Sequence, residues 1–523
     1  MRFRAVGDRA VLVELPDLEA VHGLAAAARA AQERGELAGA EDVVPGYRTL
    51  LLTGPEPAAL ASAVRRLVPV PAGQRADEPV GIDVVYDGED LDEVARLTGL
   101  STEEIVRRHT AGDYRVAFLG FTPGFPYLTG LDEALHVPRR STPRTTVPAG
   151  SVGLAGAQTG VYPRPSPGGW QLIGHTDAVL FDPERDPPAL LAPGGHLRFR
   201  AVEHGPESTD AVDEADEDDA TGATGGPSRP VLDTGSVLIR RAGPLTTVQD
   251  LGRPGFAHLG VPRAGAADVR SARLANRLVG NAESAAVLEV TVGGTELVFE
   301  AGGLVAVTGA EVPVRLNGAA VAEDGAVVVP AGSDVALGTA RTGLRSYLAV
   351  RGGFDVPSTL GSRSTDTLAG LGPPVLRDGD RIGVGVCDDG DEVRYEPVPT
   401  RPHPDEIELR VVAGPRDDWL TADGLRRLFT TPWTVTSTSD RTGLRLDGPA
   451  LERAGEEQLA SEGMVAGALQ VPPDGRPILF LANHPTTGGY PVVGVVVADD
   501  LPLAGQARPG AVLHLRRVPG PGV

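Results

Sequence analysis

The chain has 523 residues and a mass of 54.1 kDa, room for three or four domains, and its 41% hydrophobic and 23% charged residues are ordinary for a globular protein. A net charge of −22 opposes phosphate backbones and argues against nucleic acid as a partner. Lysine is absent, so all 48 basic residues are arginine, which excludes a Walker A lysine, a pyridoxal Schiff base, and biotin or lipoate carried on this chain.

In chain order, residues 1–8 lack the apolar core of a signal peptide. Residues 10–15 predict a strand, 18–36 an alanine-rich helix, 47–53 a strand and 58–67 a helix, together a small α/β domain over 1–80. Residues 81–86 predict a strand, and 91–97 and 101–109 two helices, the second opening on a Ser101/Glu104 capping box. Short strands and Gly/Pro turns follow from Ala117 to Phe199, giving a β-rich domain over 81–202. Residues 203–230 read as an acidic, Gly-rich linker, with nine carboxylates from Glu203 to Asp219 and no arginine among them. The second half predicts strands at 237–239, 304–307, 326–329, 347–350 and 478–481. They are interrupted by a helix that Asp268 N-caps and Gly280 ends, and by another over 417–429. It divides into a first β-rich domain, 231–395, and a second, 396–519. A single cysteine, Cys387, precludes an intrachain disulfide. The apolar run 492–498 is far shorter than the roughly 20 residues of a membrane helix. Both features fit a cytoplasmic protein with no membrane attachment.

Three segments repeat in the same order. Gly150 to Gln158 aligns with Gly463 to Gln470 with one residue of slack, and 168–174 with 488–494 without a gap. Pro193-Gly194 followed by Leu197 to Arg200 matches Pro509-Gly510 followed by Leu513 to Arg516. This predicts two copies of one β-rich domain, each ending its half.

The chemistry concentrates in four places. Gly168-Gly169-Trp170 and Gly488-Gly489-Tyr490 join close backbone approach to a flat aromatic wall. With Gln158-Thr159 and Thr486-Thr487 nearby, they are expected to face a ligand cleft and not a barrel core. Residues 121–128 gather Phe121, Phe125 and Tyr127. Residues 246–253 set Gln249, Asp250 and Arg253 beside hydroxyls after a strand, and Ser439-Asp440-Arg441 repeats that chemistry. The histidines show no ligand spacing, so no tightly bound metal is expected, and no Gly-x-Ser-x-Gly elbow is present.

These motifs carry a resemblance to a known family. Residues 8–200 resemble the 5-oxoprolinase B subunit, of the allophanate hydrolase subunit 1 or sporulation-kinase-inhibitor family. The shared segments are Gly7-Asp8-Arg9-Ala10, 43–48, 121–128, 147–153, 158–163 and 166–170. Residues 235–516 resemble the 5-oxoprolinase C subunit, of the allophanate hydrolase subunit 2 or biotin-dependent carboxyltransferase-like family. Here the segments are 246–253, 274–281, Leu288-Glu289-Val290-Thr291, Ser439-Asp440-Arg441, Glu462-Gly463, Gln470-Val471-Pro472 and 486–491. The chain is thus similar to a B–C fusion.

The resemblance implies a mainly β protein with α+β parts, built on cyclophilin-like β-barrels beside the small N-terminal domain. It implies ATP-dependent opening of 5-oxo-L-proline to L-glutamate with a separate polypeptide, the 5-oxoprolinase A subunit. ATP and Mg²⁺ would enter as substrate, with no covalent cofactor. Such chemistry needs arginines for phosphate and carboxylates for metal or base. Arg253 and Arg441 are the expected clamps, and Asp250, Glu289, Asp440 and Glu462 the expected carboxylates. The substrate walls are read as Phe125, Tyr127, Gln158, Thr159, Tyr162, Gly168, Gly169, Trp170, Gln249, Gln470, Thr487, Gly488, Gly489 and Tyr490. The chain departs from the family pattern at Ala264, His175 and His484, which bears on substrate choice more than on fold. Two rival classes are a carboxyltransferase or allophanate-hydrolase-like enzyme acting with a biotinylated partner, and a regulator that binds a histidine kinase. The sequence leaves self-association open.

Overall fold

A computed structural model of the chain describes residues 1–37, 39–70, 78–203, 235–321, 325–387, 403–455 and 459–523. The linker read at 203–230 lies, apart from Glu203, outside the described residues. The N-terminal sheet pairs Arg2–Val6, Ala10–Glu14, Thr49–Thr53 and Asp42–Pro45 in that order, antiparallel throughout. The helix Leu18–Glu33 starts where the Asp17 carboxylate accepts the Ala20 N–H at 2.8 Å. It lays Val21, Leu24, Ala28 and Ala31 on Val11, Val13, Leu50 and Leu52 of the sheet.

Two seven-stranded barrels follow, and their strand order is the same. The first runs Val80–Val84, Gln171–His175, Ser151–Ala155, Gln158–Val161, Pro126–Thr129, Tyr114–Leu119, His196–Ala201, and back to Val80–Val84. Its seam is closed by the Val85–His175 backbone pair, with N–O distances of 2.9 and 2.8 Å. The second runs Glu406–Ala413, Val492–Val496, Ala468–Gln470, Ile478–Phe480, Gly443–Asp447, Trp433–Val435 and Val512–Val518, and is fully closed. In each, the first and last strands lie parallel, Val80 beside Leu197 and Ile407 beside Leu513. Helices fill the same interval in both: Leu91–Thr98 and Thr102–Ala111 in the first, Ala422–Thr430 in the second. Ser101 caps its helix by accepting the Glu104 N–H at 3.3 Å, but the Glu104 side chain turns to Arg107 and Arg108, so the capping box is half made.

The paired strands correct one alignment of the repeat. Leu172 pairs with Gly153 and Gly174 with Val152 across a bulge; Val492 pairs with Gln470 and Gly494 with Leu469 across the corresponding bulge. Gln470 is therefore the counterpart of Gly153, not of Gln158. Gly-x-Gly text slides easily in a sequence, whereas a bulge in an antiparallel pair fixes the register.

The first barrel's interior carries Ile82, Val84, Val116, Leu128, Leu154, Val161 and Ile173. Among them His109 is wholly buried. Its Nδ1 accepts from the Tyr86 hydroxyl at 2.7 Å, and its Nε2–H donates at 3.0 Å to Thr159 Oγ1, which donates in turn to the Gly153 carbonyl at 3.1 Å. Burial pushes this imidazole down to about 3 from 6.5. A base depressed in the fold costs nothing above pH 6.5 and destabilises progressively as pH falls from 6.5 toward 3. The loss is about 1.4 kcal/mol per unit, or about 2 kcal/mol at pH 5. Denaturant unfolding at pH 7 and pH 5 should show this loss in the wild type and less of it in His109→Gln. Equal losses in the two proteins would mean that another group titrates.

Between the barrels, the described residues from 236 to 384 form two stacked sheets. The seven-stranded one contains Ser236–Arg241, Thr295–Phe299 and Ser333–Leu337, and the five-stranded one Leu245–Gln249, Val287–Thr291, Thr342–Val350 and Gly303–Glu311. Val237, Leu288, Leu297, Phe299 and Leu348 fill the space between. The helix Val269–Leu278, capped by Asp268 accepting the Ser271 N–H at 3.0 Å, covers the outer face of the five-stranded sheet.

Candidate functional site

Alternation along the first barrel's strands places a second set of side chains on its outer face. There Phe118, Phe125, Tyr127, Tyr162 and Trp170 form a continuous aromatic layer. Phe118 stacks on Tyr127 with centroids 4.5 Å apart, and Phe125 meets Tyr162 and Trp170 edge-on at 5.1 and 5.4 Å. Gly160 makes room for this layer, since a Cβ there would come within 3.0 Å of the Trp170 ring. Tyr47, from the N-terminal domain, closes one side with its ring 4.9 Å from Phe118 and its hydroxyl accepting from Gln158 Nε2.

Thr487, from the second barrel, closes the other side. Its Oγ1 accepts the Phe121 N–H at 3.2 Å, and its side chain hydrogen-bonds the Tyr127 phenol. Phe121 sits at φ +65°, a strained conformation for a bulky residue, and a Cβ on Gly120 would collide with Thr487 Oγ1. The Tyr47 N–H donates to the Ser461 carbonyl at 3.2 Å, and Glu462-Gly463 pairs with Thr487-Gly488. Gln470 Nε2 donates to the Tyr490 carbonyl at 2.9 Å, leaving the Tyr490 ring 43% exposed at the rim with the half-buried Gly168, Gly169, Gly488 and Gly489. The middle domain adds a third side: its Gly255 and Ala257 N–H groups donate to Oδ1 of Asp42 in the N-terminal sheet at 2.8 and 3.1 Å, and its Leu259 carbonyl accepts the Gly124 N–H at 2.8 Å. Segments 43–48, 121–128, 158–170, 255–260 and 461–490 thus meet at one junction.

Several of the expected wall residues lie elsewhere or are more enclosed than expected: Gln249 is in the middle domain, and Phe125, Tyr162, Gln470 and Thr487 are only 1–4% exposed. Thr159 points into the barrel toward His109, because strand alternation sends it to the face opposite Gly160. Trp170 lies off the barrel interior but is only 4% exposed, packed within the layer rather than forming an open wall.

A second polar centre lies in the middle domain. Asp250 accepts from Gly252 N–H, Ser362 Oγ, Ser364 Oγ and Arg363 N–H at 2.5–2.8 Å, which makes it a loop organiser. Arg253 donates to the Thr359 and Ser364 carbonyls and keeps one N–H group, Nη1, without a protein partner. Gln249 Nε2 holds Thr247 Oγ1 and the Thr365 carbonyl, each at 3.0 Å. Asp366, which the motifs did not single out, is buried with Oδ2 unpartnered. Burial pushes its carboxyl up, against the Ala369 N–H and the charge of Arg253. Asn483 Nδ2 donates to its Oδ1 at 2.9 Å, and Arg164 of the first barrel donates to the neighbouring Leu368 carbonyl at 3.0 Å.

Alongside, Glu289 is enclosed by Arg441, by Arg345 at 3.5 Å, by the Tyr347 hydroxyl at 2.8 Å and by the Ala267 N–H at 2.9 Å. Burial alone would raise its carboxyl; the two guanidinium groups and the N–H hold it below the usual range. Arg441 also donates to the Gly265 carbonyl and to Asn483 Oδ1, at 2.6 and 3.2 Å. The adjacent charges of Asp440 and Arg441 point apart: Asp440 is exposed and caps its own turn by accepting the Thr442 and Gly443 N–H groups at 2.7 and 3.1 Å. Glu462 is held on both oxygens by Arg416, which also reaches Glu14 at 2.6 Å, an ion bridge between the two halves. The two expected clamps are therefore largely committed inside the protein. Among the described residues no three His, Cys, Asp or Glu side chains converge as a metal cage.

Residues 1–191 match the family described as carboxyltransferase domain, subdomain C and D, and residues 259–517 that described as carboxyltransferase domain, subdomain A and B. The C subunit of 5-oxoprolinase from Escherichia coli (strain K12) is 38% identical over 279 residues, 53% of this chain and 89% of that protein. The B subunit of 5-oxoprolinase from Escherichia coli O157:H7 is 46% identical over 213 residues, 39% of this chain and 97% of that protein. The chain belongs to the families of the 5-oxoprolinase B and C subunits, joined in one polypeptide. The B half supplies the small domain, the first barrel and the aromatic layer; the C half supplies the middle domain, the second barrel and Thr487. A solved protein designated TTHA0988 has the same two-half arrangement, with a TM-score of 0.83 and 35% identity over 97% of this chain and 99% of that one.

Proposed function

We propose that the chain is the B–C component of an ATP-dependent 5-oxoprolinase, opening 5-oxo-L-proline to L-glutamate together with a separate A subunit. The observation that carries this reading is the junction at Thr487, where motif segments of both halves meet at the aromatic layer. A five-membered lactam is a poor electrophile. Transfer of the γ-phosphoryl group of ATP to its carbonyl oxygen, releasing ADP, activates the ring carbon. Water adds there, the C–N bond breaks and nitrogen takes up a proton, leaving a γ-glutamyl phosphate that a second water hydrolyses to glutamate and phosphate. In this reading Gln158, Tyr47, Tyr127 and Thr487 orient the ring. A triphosphate needs more donors than Arg253 and Arg441 have left, which fits a nucleotide site completed by the A subunit. Magnesium arriving with ATP would be held chiefly by phosphate oxygens and water.

The test is glutamate formation from 5-oxoproline and ATP, with ADP counted in parallel. The chain alone should form none, and addition of the A subunit should give glutamate and ADP in equal amounts. Full activity without that second polypeptide would remove the partner from the scheme. Carboxylation of urea with a biotin carrier, and no action on 5-oxoproline, would replace the reading with the carboxyltransferase one.

A further inference from the structure

The junction contains one charged group that the motifs did not reveal. Residues 137–140 run between Gly156 and the rim glycine Gly169: the Val137 carbonyl accepts the Gly156 N–H at 2.7 Å, and the Arg140 N–H donates to the Gly169 carbonyl at 2.8 Å. This carries the backbone of Arg139 past Gly156 and Gly169, which flank Gln158 and Trp170. Burial pushes the phenols of Tyr47, Tyr127 and Tyr162 up, and the charge of Arg139 opposes that rise on all three, which puts its guanidinium within electrostatic reach of each. The neighbouring arginines are committed: Arg140 to Asp90 at 2.6 Å, and Arg144 to Asp90 and Glu89 at 2.9 and 3.0 Å. Arg139 is exposed, and among the described residues no carboxylate or carbonyl pairs with it, in a chain with 70 acidic residues and 48 basic ones. An unpaired guanidinium within electrostatic reach of three phenols, beside the half-buried Tyr47 and Gln158, is complementary to a small planar molecule carrying a carboxylate.

Resting on the functional reading above, we infer that Arg139 binds the carboxylate of the substrate while the half-buried edge of the layer at Tyr47 and Gln158 takes its ring, so the site selects anionic lactams over neutral ones. The carboxylate is borne by the ring carbon next to the amide nitrogen, on the far side of that nitrogen from the carbonyl carbon, so this contact anchors the molecule without touching the carbonyl that reacts.

The assignment is tested by calorimetric titration of the full chain with 5-oxo-L-proline and with 2-pyrrolidone, the same lactam without the carboxylate, using wild type, Arg139→Gln and Arg139→Lys. Thermal melts of all three establish that each is folded. Arg139→Gln should bind 5-oxoproline about tenfold or more weakly and bind 2-pyrrolidone as the wild type does. With the A subunit present, it should raise KM much more than it lowers kcat. Arg139→Lys should recover part of the affinity, as it keeps the charge without the bidentate fork. If Arg139→Gln binds 5-oxoproline with wild-type affinity while turnover in the full complex persists, the arginine assignment falls and the functional reading stands. A wild-type chain that neither binds 5-oxoproline nor supports its turnover removes both.

Discussion

Replacing Glu289 by alanine should lower the stability of the C half by about 3–5 kcal/mol, the range seen when one partner of a buried ion pair is removed. Glu289 is 1% exposed, and its carboxylate is the counter-charge of Arg441 and Arg345, which are 2% and 3% exposed. Neither guanidinium can turn to water without disturbing the strands and loops around it, and Arg345 is further tied to the Gly505 carbonyl. The variant therefore strands two cations in the interior and frees the Tyr347 hydroxyl and the Ala267 N–H as well. Adding Arg441→Met should return part of the loss, because it removes one stranded charge; a simple cavity would instead be deepened. Urea unfolding of the wild type and both variants decides the matter. A Glu289→Ala protein within about 0.5 kcal/mol of wild type would show that the network contributes nothing net.

Trp170→Ala should cost about 3–5 kcal/mol as well, this time in the B half, by removing the largest ring of the aromatic layer and one edge contact from each of Phe125 and Tyr127. Tyr490→Phe is the matched control. Its ring is at the rim and only its backbone carbonyl is engaged, so its melt should follow that of the wild type to within about 0.5 kcal/mol. Equal melts for Trp170→Ala and wild type would mean that the layer collapses to refill the space or was loosely packed.

The duplicated barrels are legible in the sequence because they rest on local signals. Pro193-Gly194 and Pro509-Gly510 mark the turn into each last strand, where both glycines adopt positive φ, and the flanking apolar alternation is strong. Asp268 is legible as a cap for the same reason. What fails is information carried only by partners distant along the chain. Whether Thr159 faces in or out depends on its pairing with Leu128 and Leu154, which the one-dimensional pattern of a four-residue strand does not settle. Asp440 and Arg441 look like a pair in text, yet one makes a turn and the other finds Glu289 in another domain. Asp366 and Asn483 sit in no distinctive motif and become visible only as buried polar atoms facing one another. Arg139 is one of 48 basic residues, and only the fold, which carries it past Gly156 and Gly169 to the aromatic layer, sets it apart.

The aromatic layer belongs to one half, yet its cover comes from the other: Thr487 reaches Phe121 across 366 positions of chain. For two separate polypeptides, closing such a seam would depend on how much of each is present, and dilution would uncover the rings. Tethering the halves makes closure intramolecular, with an effective concentration on the order of millimolar whatever the amount of protein. The junction should therefore stay assembled at dilutions where a two-chain complex of equal intrinsic affinity has come apart, and the fused chain gains supply in equal numbers of both halves from a single translation event.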